Sequence, residues 1–367
     1  MMRTLVYGTV PGGVLQCLKR GNYGMSEKLT AETVKKLAKA YGADIVGIGN
    51  IERWDTAPIQ MDPKQIMPRA KSIIAMGFRV MRGSLRGIEE GTYFSNYSAM
   101  GYGGITYLYM PMTIINVAKA IEDYGYEAVP MGHQSDWRGI DQVGNLKKNY
   151  SVPVAPGKAA PDVMVHLRIA GYLCGLGEIG FSKMLLTPEF GPRVRVGIII
   201  TEAQLEPDPI MEPGTLCNRC MACANACPTH CIPKDKTVKT VLAGHEVEWS
   251  DVDMANCTFS FSGTAHAEKG QAANNYNGEG TRPAFFSPFF HRPDKLYKSG
   301  QAVCGAAGCT RACMISLEKR GVLKNKFYSD FRTEKPWKVD WPDDLYGTAE
   351  PQKTDGIPAK KEMPEAD

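Results

Sequence analysis

Four cysteines spaced Cys217-x2-Cys220-x2-Cys223-x3-Cys227 and closed by Pro228 constrain this chain more than any other feature. Three thiolates on so tight a loop hold three irons of a [4Fe–4S] cube, and the fourth, at the head of the next helix, reaches a second cube. A zinc knuckle pairs two Cys-x2-Cys units and has no need of a fourth cysteine followed by proline. All but two of the chain's cysteines lie between Cys217 and Cys313, in a sequence too long to need a disulfide framework. By the crossed arrangement of two-cube domains, Cys313 completes the set of Cys217, Cys220 and Cys223, while Cys227, Cys257, Cys304 and Cys309 hold the second cube. Cys231, four residues beyond Cys227, rivals Cys257. Four residues separate Cys304 from Cys309 where two are usual, and Met314 stands where proline would follow. Cys17 and Cys174 are solitary and are expected to be buried thiols.

Two cubes, each ligated by four cysteines, carry electrons but offer no open substrate position, so chemistry must occur elsewhere. The remaining composition narrows where. Of 367 residues, 43% are hydrophobic and 22% charged, which fits a folded chain of two domains. The net charge of +4 comes from scattered basic residues, which argues for a small-molecule substrate and against nucleic acid. No apolar run approaches the ~20 residues of a transmembrane helix. Met1–Tyr7 lacks the features of a secretory or twin-arginine leader, so a cytoplasmic location is expected. No P-loop is present, and Gly175–Gly180 is only a partial GxGxxG.

Along the chain, Thr30 caps a helix over 31–40, and 43–48 and 72–78 are short buried strands. A tyrosine-rich segment passes into an amphipathic helix, Met112–Tyr124. Residues 131–160, including His133, form a loop or lid. Asp162–Gly175, containing His166, is expected to be helical. Met184–Leu186 and Val194–Ile200 are expected to be strands joined by the turn Thr187–Pro192. Strands alternating with helices predict an α/β sheet. The boundaries are an N-terminal extension, 1–29; an α/β domain, 30–205; a cysteine domain, 206–323; and a tail, 324–367.

The block Ala170-Gly171-Tyr172-Leu173-Cys174-Gly175-Leu176-Gly177-Glu178-Ile179-Gly180, then Leu186–Arg195, then Ile200-Thr201-Glu202 and the cysteine run, resembles the cobalamin-dependent reductive dehalogenases and the related epoxyqueuosine reductases. Tyr41–Ile48, Tyr124–Ala128 and the isolated Cys257 extend the resemblance. It implies a fold of α/β (α+β) class: a nitroreductase-like domain holding base-off cobalamin, followed by a ferredoxin-like domain with two [4Fe–4S] clusters. A low-potential donor such as ferredoxin or flavodoxin would supply electrons for cleaving a carbon–halogen bond, and a homodimer is compatible. Cofactor contacts are implied at Gly175, Gly177, Glu178, Thr187 and Gly191. The proton donor is implied to be a tyrosine, Tyr102 or Tyr107, with Tyr97 and Tyr109 behind them. Phe181 occupies the position of the family's assisting cation, which leaves Lys183 as the nearest substitute. Asp162 lies near the aspartate that epoxyqueuosine reductases use, which keeps open a non-halogenated substrate such as an epoxide. A two-cluster electron carrier without corrinoid is the third reading. His133 is expected to be a solvated loop residue, and Phe285, Phe286, Phe289, Phe290 and His291 to shield a cluster or a subunit contact.

Overall fold

The computed structural model describes residues 28–90, 92–93, 96–133, 153–227, 230–254, 257 and 308–333. Cys17, Cys304, the Phe285–His291 run, most of the expected lid, the N-terminal extension and the tail beyond 333 lie outside the described residues.

Helix α1 (Ala31–Ala40) starts where the Thr30 hydroxyl accepts the Thr33 N–H at 3.2 Å, and it buries Val34, Leu37 and Ala38. Then follow β1 (Ile45–Asn50), β2 (Ser72–Arg79), the short α2 (Arg86–Glu89), a π-helix (Tyr97–Tyr109), α3 (Met110–Asp123) and β3 (Ala128–Met131). The chain continues through α4 (Leu167–Leu173), β4 (Glu178–Ile179), β5 (Leu185–Leu186), β6 (Val194–Thr201), α5 (Ala222–Asn225), β7 (Thr237–Leu242), β8 (His245–Ser250) and α6 (Gly308–Lys319).

The main sheet has the order β1-β2-β6-β3, with every neighbouring pair antiparallel. The expected α/β sheet is therefore corrected to an antiparallel sheet in a mixed α+β fold. The reason lies between β1 and β2, where Pro58, Pro63 and Pro68 break the segment into short 3-10 turns, so no crossover helix carries the chain to a parallel neighbour. Both faces of the sheet are covered. Ile74, Met76, Phe78 and Ile199 pack under α1 and α3 with Val34, Ile114 and Val117, while Ile73, Ala75, Ile198 and Ile200 pack with Leu173, Tyr172 and Trp249 on the other side. Burial on both faces explains why β2 and β6 read as continuous apolar runs.

Three other expectations shift. The helix expected over 162–175 shortens to α4, whose N-cap is His166, with Nδ1 accepting the Ile169 N–H at 3.4 Å. β5 pairs with β4, while β6 joins the main sheet. The β7–β8 hairpin went unforeseen because Lys239, Glu246 and Glu248 obscure its alternation; its turn places Ala243 and Gly244 at φ of 48° and 86°. Among the described residues no helix is long and apolar enough to cross a membrane.

Burial holds the His166 imidazole down, to a pKa of about 4 from an ordinary 6.5. The unfolded chain binds this proton between those values and the native state does not, so stability is full above pH 6.5 and falls as pH drops toward 4, by roughly 3 kcal/mol. His166→Asn keeps an N-cap acceptor but does not titrate, and urea midpoints measured from pH 7 to pH 4 should lose that slope in the variant.

Candidate metal centres and tyrosine face

The cysteine loop begins at a buried carboxylate. Glu178, 1% exposed, accepts hydrogen bonds from the backbone N–H groups of Gly214, Leu216 and Cys217. It reaches them because β4 pairs tightly with β5: a Cβ on Gly177 would stand 1.9 Å from the Leu186 carbonyl oxygen. Gly175 turns at φ +79° against the Pro209 carbonyl, and Thr187 bridges Gly191, which at φ +58° lies under Leu317 of α6. The five residues that the resemblance implied as cobalamin contacts are thus engaged in packing and in seating the cysteine loop.

Within the loop, Arg219 and Met221 adopt left-handed conformations, φ 55° and 59°. These two reversals curl the chain so that Cys217, Cys220 and Cys223 line one pocket with Cys313 of α6, together with Phe181 and Ser182. The Phe181 N–H points at Cys217 Sγ at 3.3 Å, and Ser316 Oγ lies 3.3 Å from Cys220 Sγ. Burial pushes the Cys223 and Cys313 thiols up. Four soft donors in an apolar pocket, none in a disulfide, are a donor set that fits a [4Fe–4S] cube.

A second group of thiols lies across Phe181. Cys227 and Cys231 stand with their sulfurs 3.2 Å apart, and Cys257 and Cys309 pack against the same apolar cluster, which also holds Phe181, Ile232 and Cys223. The structure therefore brings Cys231 and Cys257 together instead of choosing between them. Among the described residues no three ligating side chains meet at the range of a single ion. A cube, whose thiolates sit on separate irons, holds them farther apart than a single ion does. Cys174, by contrast, is fully buried, donates to the Ile73 carbonyl at 3.4 Å and has its pKa pushed up to about 12 by burial, as befits an inert thiol.

The tyrosines owe their arrangement to the π-helix. Tyr97, Tyr102 and Tyr107 recur every five residues, which in an α-helix would swing each about 140° from the last. Winding with i→i+5 bonds, of which Met110 N–H to Ile105 O is one, returns them to one face. Ring centroids are 6.4 Å apart for Tyr97–Tyr102 and 5.7 Å for Tyr102–Tyr107, and the Tyr102 and Tyr107 hydroxyls are 3.0 Å apart. His133 Nδ1 lies 3.5 Å from the Tyr107 hydroxyl, so this histidine belongs to the aromatic group and is not merely solvated. Tyr109 points elsewhere, donating to the Gly42 carbonyl at 3.1 Å.

The cation beside these rings is Arg195 of β6. It donates to the Tyr97 hydroxyl, and its Cζ sits 4.5 Å from the Tyr102 ring centroid. Its Nε is buried without a hydrogen-bond partner. Lys183, expected in this role, instead lies over the Trp249 indole at 5.4 Å, with its pKa lowered by burial. Asp162 accepts from Gln60 Nε2 at 2.7 Å. Arg168 of α4 donates to the Lys183 carbonyl at 3.0 Å, and burial, with the nearby Arg195 charge, holds its pKa down. Sequence reasoning missed both arginines as site residues. Arg195 stood inside the Gly-Pro-Arg-Val-Arg stretch already singled out, whereas nothing marked Arg168.

Glu178→Gln presents an amide N–H2 to donors that need an acceptor. It should cost about 3 kcal/mol and, if Cys217, Cys220 and Cys223 hold a cube, speed iron loss from it to a chelator. Unfolding midpoints and chelation rates check this; were Glu178 a corrinoid contact, corrinoid content would fall while iron stayed.

No family model matches the chain. It is 31% identical over 150 residues to a tetrachloroethene reductive dehalogenase of Desulfitobacterium hafniense, which is 40% of this chain and 22% of that protein. It is 39% identical over 82 residues to an epoxyqueuosine reductase of Synechococcus sp. strain CC9605, 22% of this chain and 25% of that one. A solved reductive dehalogenase, whose structure is described as suggesting a mechanism for B12-dependent dehalogenation, aligns with 89% of this chain and 44% of its own at 18% identity and a TM-score of 0.45. The chain thus matches under a third of the length of these curated relatives, and its sequence is similar both to reductive dehalogenases and to epoxyqueuosine reductases.

Proposed function

We propose that the chain is a corrinoid- and iron–sulfur-dependent reductase that replaces halide on a small organic molecule by hydrogen, R–X + 2e⁻ + H⁺ → R–H + X⁻. The observation that carries this reading is the pairing of two thiol groups, each with the donor chemistry for a cube, with a face of tyrosines backed by a half-buried arginine. The similarity to dehalogenases supports it. In this reading 30–205 is a nitroreductase-like catalytic domain and 206–323 a ferredoxin-like one, fed by a low-potential donor.

In this reading the organic cofactor would lie against the tyrosine face. Tyr102, Tyr107 and His133 offer flat partly apolar surface, and Arg195 Nε is a buried donor without a partner. A corrinoid held there supplies a strongly reducing cobalt centre. The remaining chemistry belongs to the chain. The Tyr102 O–H gives its proton to the carbon that loses halide. A phenol with an ordinary pKa near 10 gives up that proton reluctantly, and the Arg195 guanidinium against its ring, together with the Tyr107 hydroxyl at 3.0 Å, favours the phenolate left behind. Phe181 keeps water away from the thiols on both sides and takes no part in proton transfer. Asp162, tied to Gln60, is the acid of the alternative epoxide reading.

Holoprotein from a cobalamin-supplied host should show corrinoid bands after denaturation and release halide anaerobically from a chlorinated alkene or bromophenol. Absence of the bands would leave an electron carrier, and turnover of an epoxide without halide release would favour the epoxide reading. Tyr102→Phe should lower turnover roughly 10²–10⁴-fold with both clusters retained. Arg195→Gln should fall as far, the double variant little further, and Lys183→Met should stay near wild type.

A further inference from the structure

We propose that Cys231 is a ligand of the second cluster, completing with Cys227, Cys257 and Cys309 a set that does not require Cys304. This rests on the two-cluster reading above. The four thiols come from three separated stretches of sequence and meet against one apolar cluster containing Phe181 and Ile232. Cys231 is 4% exposed and its sulfur is 3.2 Å from that of Cys227, closer than two thiolates on separate irons of a cube stand, so cluster binding would part them.

The backbone is built to hold it there. His230, a residue with a Cβ, sits at φ 50°, a left-handed conformation that turns the chain back immediately after the cysteine run. Asp253 then laces the two candidates together: its N–H donates to the Cys231 carbonyl at 2.9 Å, and its carbonyl accepts the Cys257 N–H at 2.9 Å. Cys309 is delivered by α6, four residues before Cys313, which faces the first set. Cys174 shows what an inert buried thiol looks like in this molecule, bonded to backbone with no other cysteine beside it among the described contacts, and Cys231 is not of that kind. Binding of iron would release the thiol protons and replace the sulfur–sulfur hydrogen bond with bonds to metal.

The test is anaerobic reconstitution of the full chain with iron and sulfide, read by iron content and electron paramagnetic resonance of the reduced protein. Wild type should hold about eight irons in two cubes. Cys231→Ala should fall to about four, losing the second signal while the first persists as an internal check on folding, and Cys304→Ala should keep both. Cys231→Ser, which leaves an oxygen donor in the same volume, should shift the second signal. Retention of both cubes in Cys231→Ala, an unshifted signal in Cys231→Ser, or loss of the second cube in Cys304→Ala would each overturn the assignment. Only four irons in wild type would instead refute the two-cluster reading beneath it.

Discussion

A carboxylate shielded from water and facing three backbone N–H groups organises this molecule. Gly214, Leu216 and Cys217 lie in a segment without regular structure, which has no ladder of its own to satisfy those donors. Glu178 satisfies them from β4, and so fixes the first cysteine relative to the folded body before any metal is bound. The glycines around it serve that contact: Gly177 lets β4 approach the Leu186 carbonyl, and Gly191 lets the Thr187 turn slip under Leu317. A second buried carboxylate acts at the other end. Glu89 of α2 receives Arg311 of α6 at 3.0 Å and Arg332 beside it, tying the helix that carries Cys309 and Cys313 to the same body.

The π-helix plays the corresponding part for the tyrosines. Sustained i→i+5 winding gives up the better packing of an α-helix. Gly101, Gly103 and Gly104 make it sterically feasible, with Gly101 directly beneath the Tyr97 ring and Ser84. In return, three rings spaced by five residues share a face within reach of Arg195.

Much of this was legible in the residues. Thr30 and the apolar runs of β2 and β6 announced their elements because capping and two-sided burial are local signals. Cys217, Cys220 and Cys223 were grouped by their spacing and Cys313 by the crossed arrangement of two-cube domains, and these four thiols line one pocket. What escaped depends on non-local geometry. The antiparallel pairing could not be read from strands whose two-sided burial erases alternation. The cation near the tyrosines was sought two residues from a motif, whereas Arg195 arrives from the central strand. Gly175, Gly177, Glu178, Thr187 and Gly191 were named as cofactor contacts by resemblance alone; their packing roles were not legible, because a glycine needed for close backbone approach looks no different in one dimension. Tyr102 and Tyr107 were singled out as alternative proton donors from the resemblance; that their hydroxyls stand 3.0 Å apart makes sense only once the helix is known to be π-wound.

Helix α6 has one more consequence, set by its geometry. It offers Cys309 to one group of thiols and Cys313 to the other, four residues apart on an element whose rise over that interval is about 6 Å. Electron tunnelling weakens exponentially with distance, so the gap between two redox centres is the quantity a protein must hold constant. Loops drift with temperature and ligand, but a hydrogen-bonded turn does not. Were both groups of thiols to hold clusters, the hop between them would be set by a single turn of backbone, pinned through Arg311 to Glu89.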